Sequence, residues 1–329
     1  MSKKIIMKSK RGFTMLEMAI VLIMIGILTA SLTPLLLRQF TNSKEDQDRQ
    51  ALLAAKTAII SYATSFGGIP NPGNPAVIGT VSGVMPSVAA FGVNNWGAFG
   101  STNPFQMDVN DSLTSSVITA SSVGAASTVG GDKVVFCQAV NAQMITAAPN
   151  SPKICQDFND HTSACTSVSP VAFVLYSTGN DRTANQENAL NLRIYENDTR
   201  GINNSNDIAA DHYDDQVMSY PLSALVRDCR ERMNVLPEVM ACTPGYKYVG
   251  SVFNNVDTSV ASSVGYTLTG VVTASSVPAN NTVYINQCVT RTAMMAVGTQ
   301  SGVPISTNDT NADGRVDFVI TGTNSFTAQ

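Results

Sequence analysis

The sequence contains few of the residues on which catalytic and metal sites depend. It has two histidines and one tryptophan, and only 13% of its 329 residues are charged. Two histidines leave little material for a serine or cysteine nucleophile together with its base. The sequence also contains no G-x-S-x-G, H-E-x-x-H or Walker motif. We therefore expect a protein that is not an enzyme.

Positive charge is scarce outside the N-terminus. The 20 basic and 24 acidic residues give a net charge of −4, which argues against a broad basic face and a nucleic-acid partner. The first eleven residues contain no acid and five basic residues, Lys3, Lys4, Lys8, Lys10 and Arg11. An apolar fraction of 44% is too high for a disordered chain, and the length allows about two domains with a sizeable core.

One uncharged run is long enough to cross a membrane. The twenty residues 18–37 (MAIVLIMIGILTASLTPLLL) carry no charge, and as a helix they extend about 30 Å. A cleavable secretory signal has a shorter apolar region, of about 7–15 residues. The basic residues before the run place the N-terminus in the cytoplasm. The run predicts a single membrane pass, with the rest of the chain on the far side.

Two residues do not fit a plain membrane anchor. Glu17 stands at the start of the apolar run, where a deeply buried and unpaired carboxylate costs about 2–3 kcal/mol. Pro34 lies inside the run, where it removes one helix hydrogen bond and favours a kink or local melting. A generic anchor needs neither residue.

Residues 10–17 (KRGFTMLE) resemble the processing site of type IV prepilins and pseudopilins. The resemblance implies a basic leader (1–12), cleavage between Gly12 and Phe13 by a prepilin peptidase, and methylation of Phe13. It also implies that Glu17 pairs with the Phe13 amine of a neighbouring subunit and that Pro34 lets the helix open during assembly. The implied partners are other pilin or pseudopilin subunits, the peptidase/methyltransferase and the bacterial inner membrane.

The resemblance implies an α+β, type IV pilin-like fold with a long N-terminal helix packed on an antiparallel sheet. The helix divides into a transmembrane, filament-core part (13–38) and a periplasmic amphipathic part (39–66). An apolar stripe in the second part contains Leu52, Leu53, Ile59, Ile60, Ala63 and Phe66. Gly67 and Gly68, followed by prolines, predict the end of the helix.

The exported region divides by composition into two parts. Residues 67–235 are expected to form the globular α/β region, with strands at 133–139 and 171–176 and a Ser-capped helix at 223–234. Residues 171–181 and 213–219 also resemble the sheet region of pilin-like proteins. Residues 236–329 alternate apolar and polar residues between turns and predict an extra β-rich module.

Six cysteines lie beyond the membrane run, and their even number predicts disulfides in an oxidising compartment. They are Cys137, Cys155, Cys165, Cys229, Cys242 and Cys288. Fifteen complete pairings are possible, and the sequence does not select one. The pairs close in sequence, Cys155/Cys165 and Cys229/Cys242, are our hypothesis.

A calcium loop is predicted near the C-terminus. Residues 309–317 place oxygen ligands at the positions of an EF-hand-like loop, with Gly314 at the sharp turn: Asp309, Asn311, Asp313, the carbonyl of Arg315, and Asp317. Ile320 replaces the bidentate glutamate of the full pattern, so we expect a weak structural Ca²⁺ site. The alternative is an Asp/Asn/Gly turn between strands. A second acidic cluster, Asp207, Asp211, Asp214 and Asp215, fits a solvated loop at least as well.

These features together favour a minor or specialised subunit of a type IV pilus-like filament, possessing a head that could serve adhesion or partner binding. Such a subunit starts in the inner membrane and ends in a periplasmic or cell-surface filament. A pseudopilin of a type II secretion system is the alternative. A third hypothesis is a membrane-anchored binding protein that forms no filament.

Overall fold

The apolar run and the segment after it form one helix in the computed structural model, α1 (Met15–Phe66). The structure describes residues 15–72, 82–84, 97–98, 103–121, 132–146, 151–155, 168–177, 193–196, 216–305 and 314–328. The chain divides into two compact units, residues 1–49 and 50–329, so that the division falls within α1. The domain boundaries predicted after residues 38, 66 and 235 stay predictions, although α1 itself ends at Phe66.

Helix α1 ends where the glycine pair predicted. Gly67 has a φ of 68°, a left-handed conformation that a residue without a Cβ adopts at little cost. Its N–H donates to the carbonyl of Ala63 over 2.9 Å and so closes the last turn. Gly68 is needed for a close approach, because a Cβ there would lie 2.8 Å from the Cα of Ser115.

The buried stripe of α1 is narrower than predicted. Leu52, Ala55, Ile59 and Ala63 are all at most 1% exposed, at spacings of three and four residues. Leu53 is 55% and Phe66 37% exposed, so their assignment to the core face was wrong. Consecutive residues of a helix point about 100° apart, and Leu52 already occupies the direction that faces the core.

The first sheet is built around one long central strand. Its strands, with two short ones that pair separately, are β1 (Ser82–Val84), β2 (Gly97–Ala98), β3 (Asn103–Pro104), β4 (Gln106–Val109), β5 (Lys153–Cys155), β6 (Val168–Ser177), β7 (Ile194–Glu196) and β8 (Gln216–Pro221). Strand β6 pairs antiparallel with β4, β5 and β8. The strand order is β1-β4-β6-β5-β7, and β5 and β7 are parallel to each other. Strand β8 also pairs with β6 but lies outside this linear order. The strand predicted at 171–176 is therefore confirmed.

One core joins α1 to this sheet. Further helices are α2 (Ser115–Ser121), α3 (Lys133–Thr146), α4 (Leu222–Glu231) and α5 (Pro237–Met240). The buried side chains of α1 from Leu52 to Ala63 belong to the same cluster as those of α3, α4 and the inner face of the sheet. The predicted packing of the helix on a sheet is confirmed.

The strand predicted at 133–139 is wrong, because these residues form the first half of α3. Asp132 caps this helix, since its Oδ1 accepts from the N–H groups of Val134 and Val135 at 2.9 and 3.3 Å. All residues from Val134 to Val140 are buried. A helix enclosed on every side lacks polar alternation, so its short apolar run cannot be distinguished from a buried strand by pattern.

The helix predicted at 223–234 is present, but the serine cap is wrong. Helix α4 starts at Leu222, and its N-cap is Pro221, whose side chain makes no capping hydrogen bond. Pro221 also ends β8, and its φ of −65° is already that of a helical residue. Ser223 lies within the first turn.

The extra β-rich region consists of two four-stranded sheets. Its strands are β9 (Tyr246–Asn254), β10 (Ser263–Leu268), β11 (Val272–Pro278), β12 (Thr282–Thr290), β13 (Met294–Val297), β14 (Val303–Pro304), β15 (Arg315–Gly322) and β16 (Ser325–Ala328). One sheet has the order β11-β10-β13-β14 and the other β12-β9-β15-β16. Side chains from both sheets, among them Leu268, Met295 and Phe318, form one buried cluster. The expected α+β class with an additional β-rich part is confirmed.

Two disulfides are described, and both join residues distant in sequence. Cys137 of α3 is bonded to Cys229 of α4, with a Cα–Cα distance of 5.7 Å. Cys242 is bonded to Cys288 of β12, with a Cα–Cα distance of 5.5 Å. The predicted pair Cys229/Cys242 is therefore wrong, because α4 faces α3 and Cys242 faces β12. Cys165 lies outside the described residues, so the pair Cys155/Cys165 stays a prediction.

Candidate site of membrane insertion and filament assembly

The N-terminal half of α1 exposes a continuous apolar surface. Thirteen large apolar side chains between Met15 and Leu36 are 43–93% exposed. Covering them is worth on the order of 20 kcal/mol, at about 1.5 kcal/mol for each side chain. Residues Met15–Pro34 form the one helix of the described chain that is long and apolar enough to cross a membrane. This surface needs either lipid or other apolar helices around it.

The few hydroxyl groups in the apolar run find partners within the helix itself. Thr29 donates to the carbonyl of Gly26 at 3.2 Å, Ser31 to that of Leu28 at 3.0 Å, and Thr33 to that of Thr29 at 2.6 Å. Hydrocarbon offers no water to satisfy a polar group, and such bonds to the preceding turn remove that need. The run can therefore enter a bilayer or a helix bundle without leaving these hydroxyls unsatisfied.

The two predicted assembly residues lie on this helix. Glu17 is exposed in the first turn of α1, where the positive end of the helix dipole favours a carboxylate. Pro34 lies inside α1, which continues through it. Pro34 has no N–H to donate to the carbonyl of Ala30 four residues earlier, so the helix has one hydrogen bond fewer at this point.

The processing residues Gly12 and Phe13 lie outside the described residues. The pairing of Glu17 with a neighbouring Phe13 amine therefore stays a prediction.

The predicted calcium loop is described only in part. Asp309, Asn311 and Asp313 lie outside the described residues, whereas Arg315 and Asp317 are the first and third residues of β15. The carboxylate of Asp317 accepts from Arg315 Nε and from Ser251 Oγ, both at 2.7 Å. Within the described part of the chain, no group of three or more His, Cys, Asp or Glu side chains could hold a metal ion. The calcium loop stays a prediction.

The second acidic cluster, Asp207, Asp211, Asp214 and Asp215, also lies outside the described residues.

A buried charged network in the first sheet was missed by sequence reasoning. Arg193 donates to both oxygens of Asp108, at 2.9 and 3.2 Å, and to Asp111 at 2.6 Å. Tyr195 donates its hydroxyl proton to Asp108 at 2.8 Å. Asp108 and Tyr195 are both fully buried. Since Asp108 belongs to β4 and Tyr195 to β7, the network joins two strands that are not neighbours in the sheet.

The pKa values in this network follow from burial and from the pairing. Burial raises the pKa of Asp108, although Arg193 and Tyr195 favour its charged form. Burial and the adjacent Asp108 raise the pKa of Tyr195 far above its usual value, so its hydroxyl stays a donor. These groups have protein partners and lie inside the fold, so we assign them a structural role. No short sequence motif connects positions 108 and 193.

A family model, described as the prokaryotic N-terminal methylation motif, matches residues 7–33 of the chain. No curated protein and no solved structure matches the chain. The matched segment ends within the exposed apolar helix and contains Gly12, Phe13 and Glu17. The motif implies processing by a prepilin peptidase, membrane anchoring before assembly, and assembly with other pilin subunits. Residues 7–33 therefore carry the prokaryotic N-terminal methylation motif, which is the type IV prepilin-like signature.

Proposed function

We propose that this protein is a minor or specialised structural subunit of a type IV pilus-like filament, with no catalytic activity of its own. Prepilin peptidase cuts the chain after Gly12, and the new N-terminal residue, Phe13, is methylated. The processed subunit waits in the inner membrane and then enters a filament through the N-terminal half of α1.

One observation carries the proposal: the methylation motif coincides with the apolar surface of α1. The motif covers residues 7–33, and the exposed apolar side chains run from Met15 to Leu36. A bilayer covers this surface before assembly, and the equivalent helices of neighbouring subunits cover it afterwards. Transfer between two apolar surroundings costs little, which makes a reversible membrane store of subunits possible.

The size of the head favours a specialised subunit. After the helix come about 260 residues, including eight strands in the extra β-rich region. A head of this size would crowd a helical lattice in which every subunit carried it. At a filament tip it would be displayed to other molecules, as adhesion or partner binding requires.

The N-terminal peptide of the protein tests the processing step. We expect mass spectrometry of the native membrane fraction to find a peptide that begins with methylated Phe13. Replacing Gly12 by Val should leave the leader attached, whereas replacing Ser9 by Ala should not affect cleavage. An intact N-terminus at Met1 in the wild-type protein, or cleavage after the apolar run, would contradict the proposal.

A pseudopilin of a type II secretion system carries the same motif and is the second candidate. Its filament stays short and periplasmic, whereas a pilus reaches the cell surface. Mechanical shearing of intact cells separates the two, since only surface filaments are released. We expect the protein in the sheared fraction; its absence there, with processed protein present in the membrane, would favour the secretion system.

We infer, in addition, that residues 309–317 bind a structural calcium ion, with Asp317 at the ninth loop position acting through a water molecule, because its carboxylate already accepts from Arg315 and Ser251. The support is the spacing of Asp309, Asn311 and Asp313 before Gly314, whose φ is +84°. Millimolar Ca²⁺ should raise the melting temperature of the full chain above that in EGTA, and Mg²⁺ should not replace it. The Asp313→Ala variant should lose the response to calcium. An equal melting temperature of the wild-type protein with Ca²⁺ and with EGTA would refute the site.

A further inference from the structure

The outer face of the sheet β12-β9-β15-β16 carries an exposed aromatic ring beside a fixed carboxylate. Tyr284 of β12 is 72% exposed, the largest exposure among the tyrosines whose side chains are described. Ser251 of β9 lies directly opposite Tyr284 in the antiparallel register. The hydroxyl of Ser251 donates to Asp317 of β15 at 2.7 Å. We call Tyr284, Ser251, Asp317 and Phe253 the Tyr284 face.

The sheet register places these side chains on one surface. Residues directly opposite on paired strands point to the same side of a sheet, which places Tyr284 beside Ser251. Phe253 follows Ser251 by two residues and therefore also points outward; it is half-buried and lies opposite Thr282 and Val319. Three strands at about 4.8 Å spacing put Tyr284 about 10 Å from Asp317, which is close to the span of two sugar rings.

The polar end of the Tyr284 face is held in place by its own contacts. Arg315 Nε donates to Asp317 Oδ2 at 2.7 Å, and the two side chains are 33% and 29% exposed. The pair lies over Gly250, where a Cβ would come within 2.5 Å of Asp317 Oδ1 and 2.7 Å of Arg315 Nη2. The glycine therefore leaves room for the ion pair to lie flat on the strand. Arg315 Nη1 also lies 3.5 Å from Glu238 Oε1, so the group offers adjacent donors and acceptors and carries one net negative charge.

Apart from Glu238 beside Arg315, the described surroundings of the Tyr284 face carry little charge. Between residues 255 and 304, the only charged residues are Asp257 and Arg291. Arg291 is only 14% exposed and is paired with Asp132. The other exposed residues of β11 and β12 are mainly Ser, Thr, Asn and Gln. A polar surface with one net negative charge disfavours an anionic partner, and its hydroxyl and amide groups suit a neutral and strongly hydroxylated one.

We propose that the Tyr284 face binds a neutral oligosaccharide. The ring of Tyr284 packs against the C–H face of one sugar, with Phe253 extending the apolar contact. Hydroxyls of the adjoining sugar donate to Asp317 and accept from Arg315. Because burial in protein contacts already orients the ion pair, little ordering accompanies binding. This site goes beyond the proposed filament role and does not depend on processing at Gly12.

Direct binding of defined sugars to the full chain tests the site. The protein is purified in a detergent without a sugar head group, so that the detergent does not compete. The probes are neutral hexasaccharides of β-1,4-glucose, α-1,4-glucose, β-1,4-mannose and β-1,4-N-acetylglucosamine, with hexagalacturonate as the charged comparison. We expect at least one neutral probe to bind. We expect hexagalacturonate to bind more weakly than that probe.

Variants separate the ring from the rest of the face. The Tyr284→Ala variant should bind the sugar roughly tenfold more weakly, a loss of about 1.4 kcal/mol that one stacked aromatic contact can supply. Tyr284→Phe keeps the ring and should stay close to wild type, and Asp317→Asn should weaken binding. Val260→Ala is the matched control, because Val260 is an exposed side chain (66%) elsewhere in the same region.

Two results would overturn the proposal. One is that none of the four neutral probes binds to folded wild-type protein. The other is that binding occurs and survives Tyr284→Ala. If no sugar binds but Tyr284→Ala abolishes self-association in analytical ultracentrifugation, the face is a contact between copies of the chain.

Discussion

At the scale of single residues, Asp317 has the most informative surroundings. It lies in β15, and its carboxylate accepts from a guanidinium and a hydroxyl, each at 2.7 Å. Burial disfavours its charge, but the hydrogen bonds from Arg315 and Ser251 prevail and place the pKa of Asp317 below its ordinary value. The spacing of the predicted calcium loop makes Asp317 a candidate oxygen ligand. That spacing contains no information about Ser251, which lies 66 residues earlier and donates one of the hydrogen bonds to Asp317.

The lowered pKa of Asp317 predicts a pH-dependent stability. A carboxyl group whose pKa is lower in the folded chain stabilises the fold above its unfolded pKa, about 3.9, and loses this contribution as pH falls. At pH 7 the Asp317→Asn variant should therefore melt at a lower temperature than the wild type. Its free energy of unfolding should be lower by up to about 1 kcal/mol. The difference should begin to fall at about pH 4 and should vanish as the pH passes below the lowered pKa of Asp317. Thermal unfolding followed by circular dichroism measures it.

The neighbouring Thr327→Val variant is the control, since it changes an exposed and uncharged side chain of the same sheet. Its difference from wild type should not depend on pH. A constant difference for Asp317→Asn between pH 7 and pH 3 would contradict the lowered pKa.

Glu17 carries the second prediction at this scale. Removing one partner of a charge pair inside an apolar bundle costs about 3–5 kcal/mol, because the other charge is left unpaired. Glu17→Ala should therefore be inserted and processed but should enter filaments at least about tenfold less well. Quantitative immunoblots of sheared and membrane fractions measure the ratio. Asp46→Ala, an exposed acid of the same helix outside the apolar run, should assemble normally. Normal assembly of Glu17→Ala would contradict the pairing.

At the scale of elements, α3 connects the first sheet region to the extra β-rich region. Gln138 is fully buried and forms hydrogen bonds with three backbone groups of residues 239–246, which we call the connecting segment. Its amide donates to the carbonyls of Val239 and Tyr246 at 3.1 and 2.9 Å and accepts from the N–H of Gly245 at 3.0 Å. The first residue before α3, Asp132, pairs with Arg291 between β12 and β13.

Replacing Gln138 by Leu tests the connection. The leucine fills a similar volume but leaves two carbonyls and one N–H without their partner, at a cost of about 2–4 kcal/mol. We expect a clearly lower melting temperature, whereas Gln287→Leu, at an exposed position of β12, should change it little. If both variants melt like wild type, the contacts of Gln138 do not hold the connecting segment.

At the scale of the whole molecule, long-range covalent links stabilise the unit formed by residues 50–329. The two described disulfides close loops of 92 and 46 residues. In the chain-entropy account such loops stabilise a fold by about 4–5 kcal/mol each. They join α3 to α4, and the segment after α5 to β12. The second bond therefore attaches the extra β-rich region to the connecting segment that Gln138 also holds.

The Cys242→Ser/Cys288→Ser double variant tests this attachment. We expect it to lose about 3–4 kcal/mol of stability and to be cleaved faster by protease between α5 and β9. Treatment of the wild-type protein with a thiol reductant should also lower its stability and speed its cleavage. Both effects should grow with the fraction of the Cys242–Cys288 bond that is reduced. Unchanged proteolysis of the double variant would show that packing alone holds the region in place.

Several features were determined by the sequence itself, because their causes are local. The membrane span follows from an uncharged run, the end of α1 at Phe66 from Gly67, and the β-rich region from alternation along short segments. The methylation motif is also local, since its residues are read within one stretch of chain. Each of these signals acts over a few turns or strand residues, so no knowledge of distant partners is needed.

Other features were decided only by the tertiary structure. The apolar run 133–139 became a helix because α1, α4, α5 and the first sheet enclose it, and burial overrides the strand preference of valine. Cys229 bonds to Cys137 and not to nearby Cys242, because the packing of α4 on α3 brings those sulfur atoms together. Asp108 and Arg193 meet through strand order, which also places Tyr284 and Asp317 on one face of their sheet. Partner choice depends on which surfaces pack together, and that is a property of the whole fold.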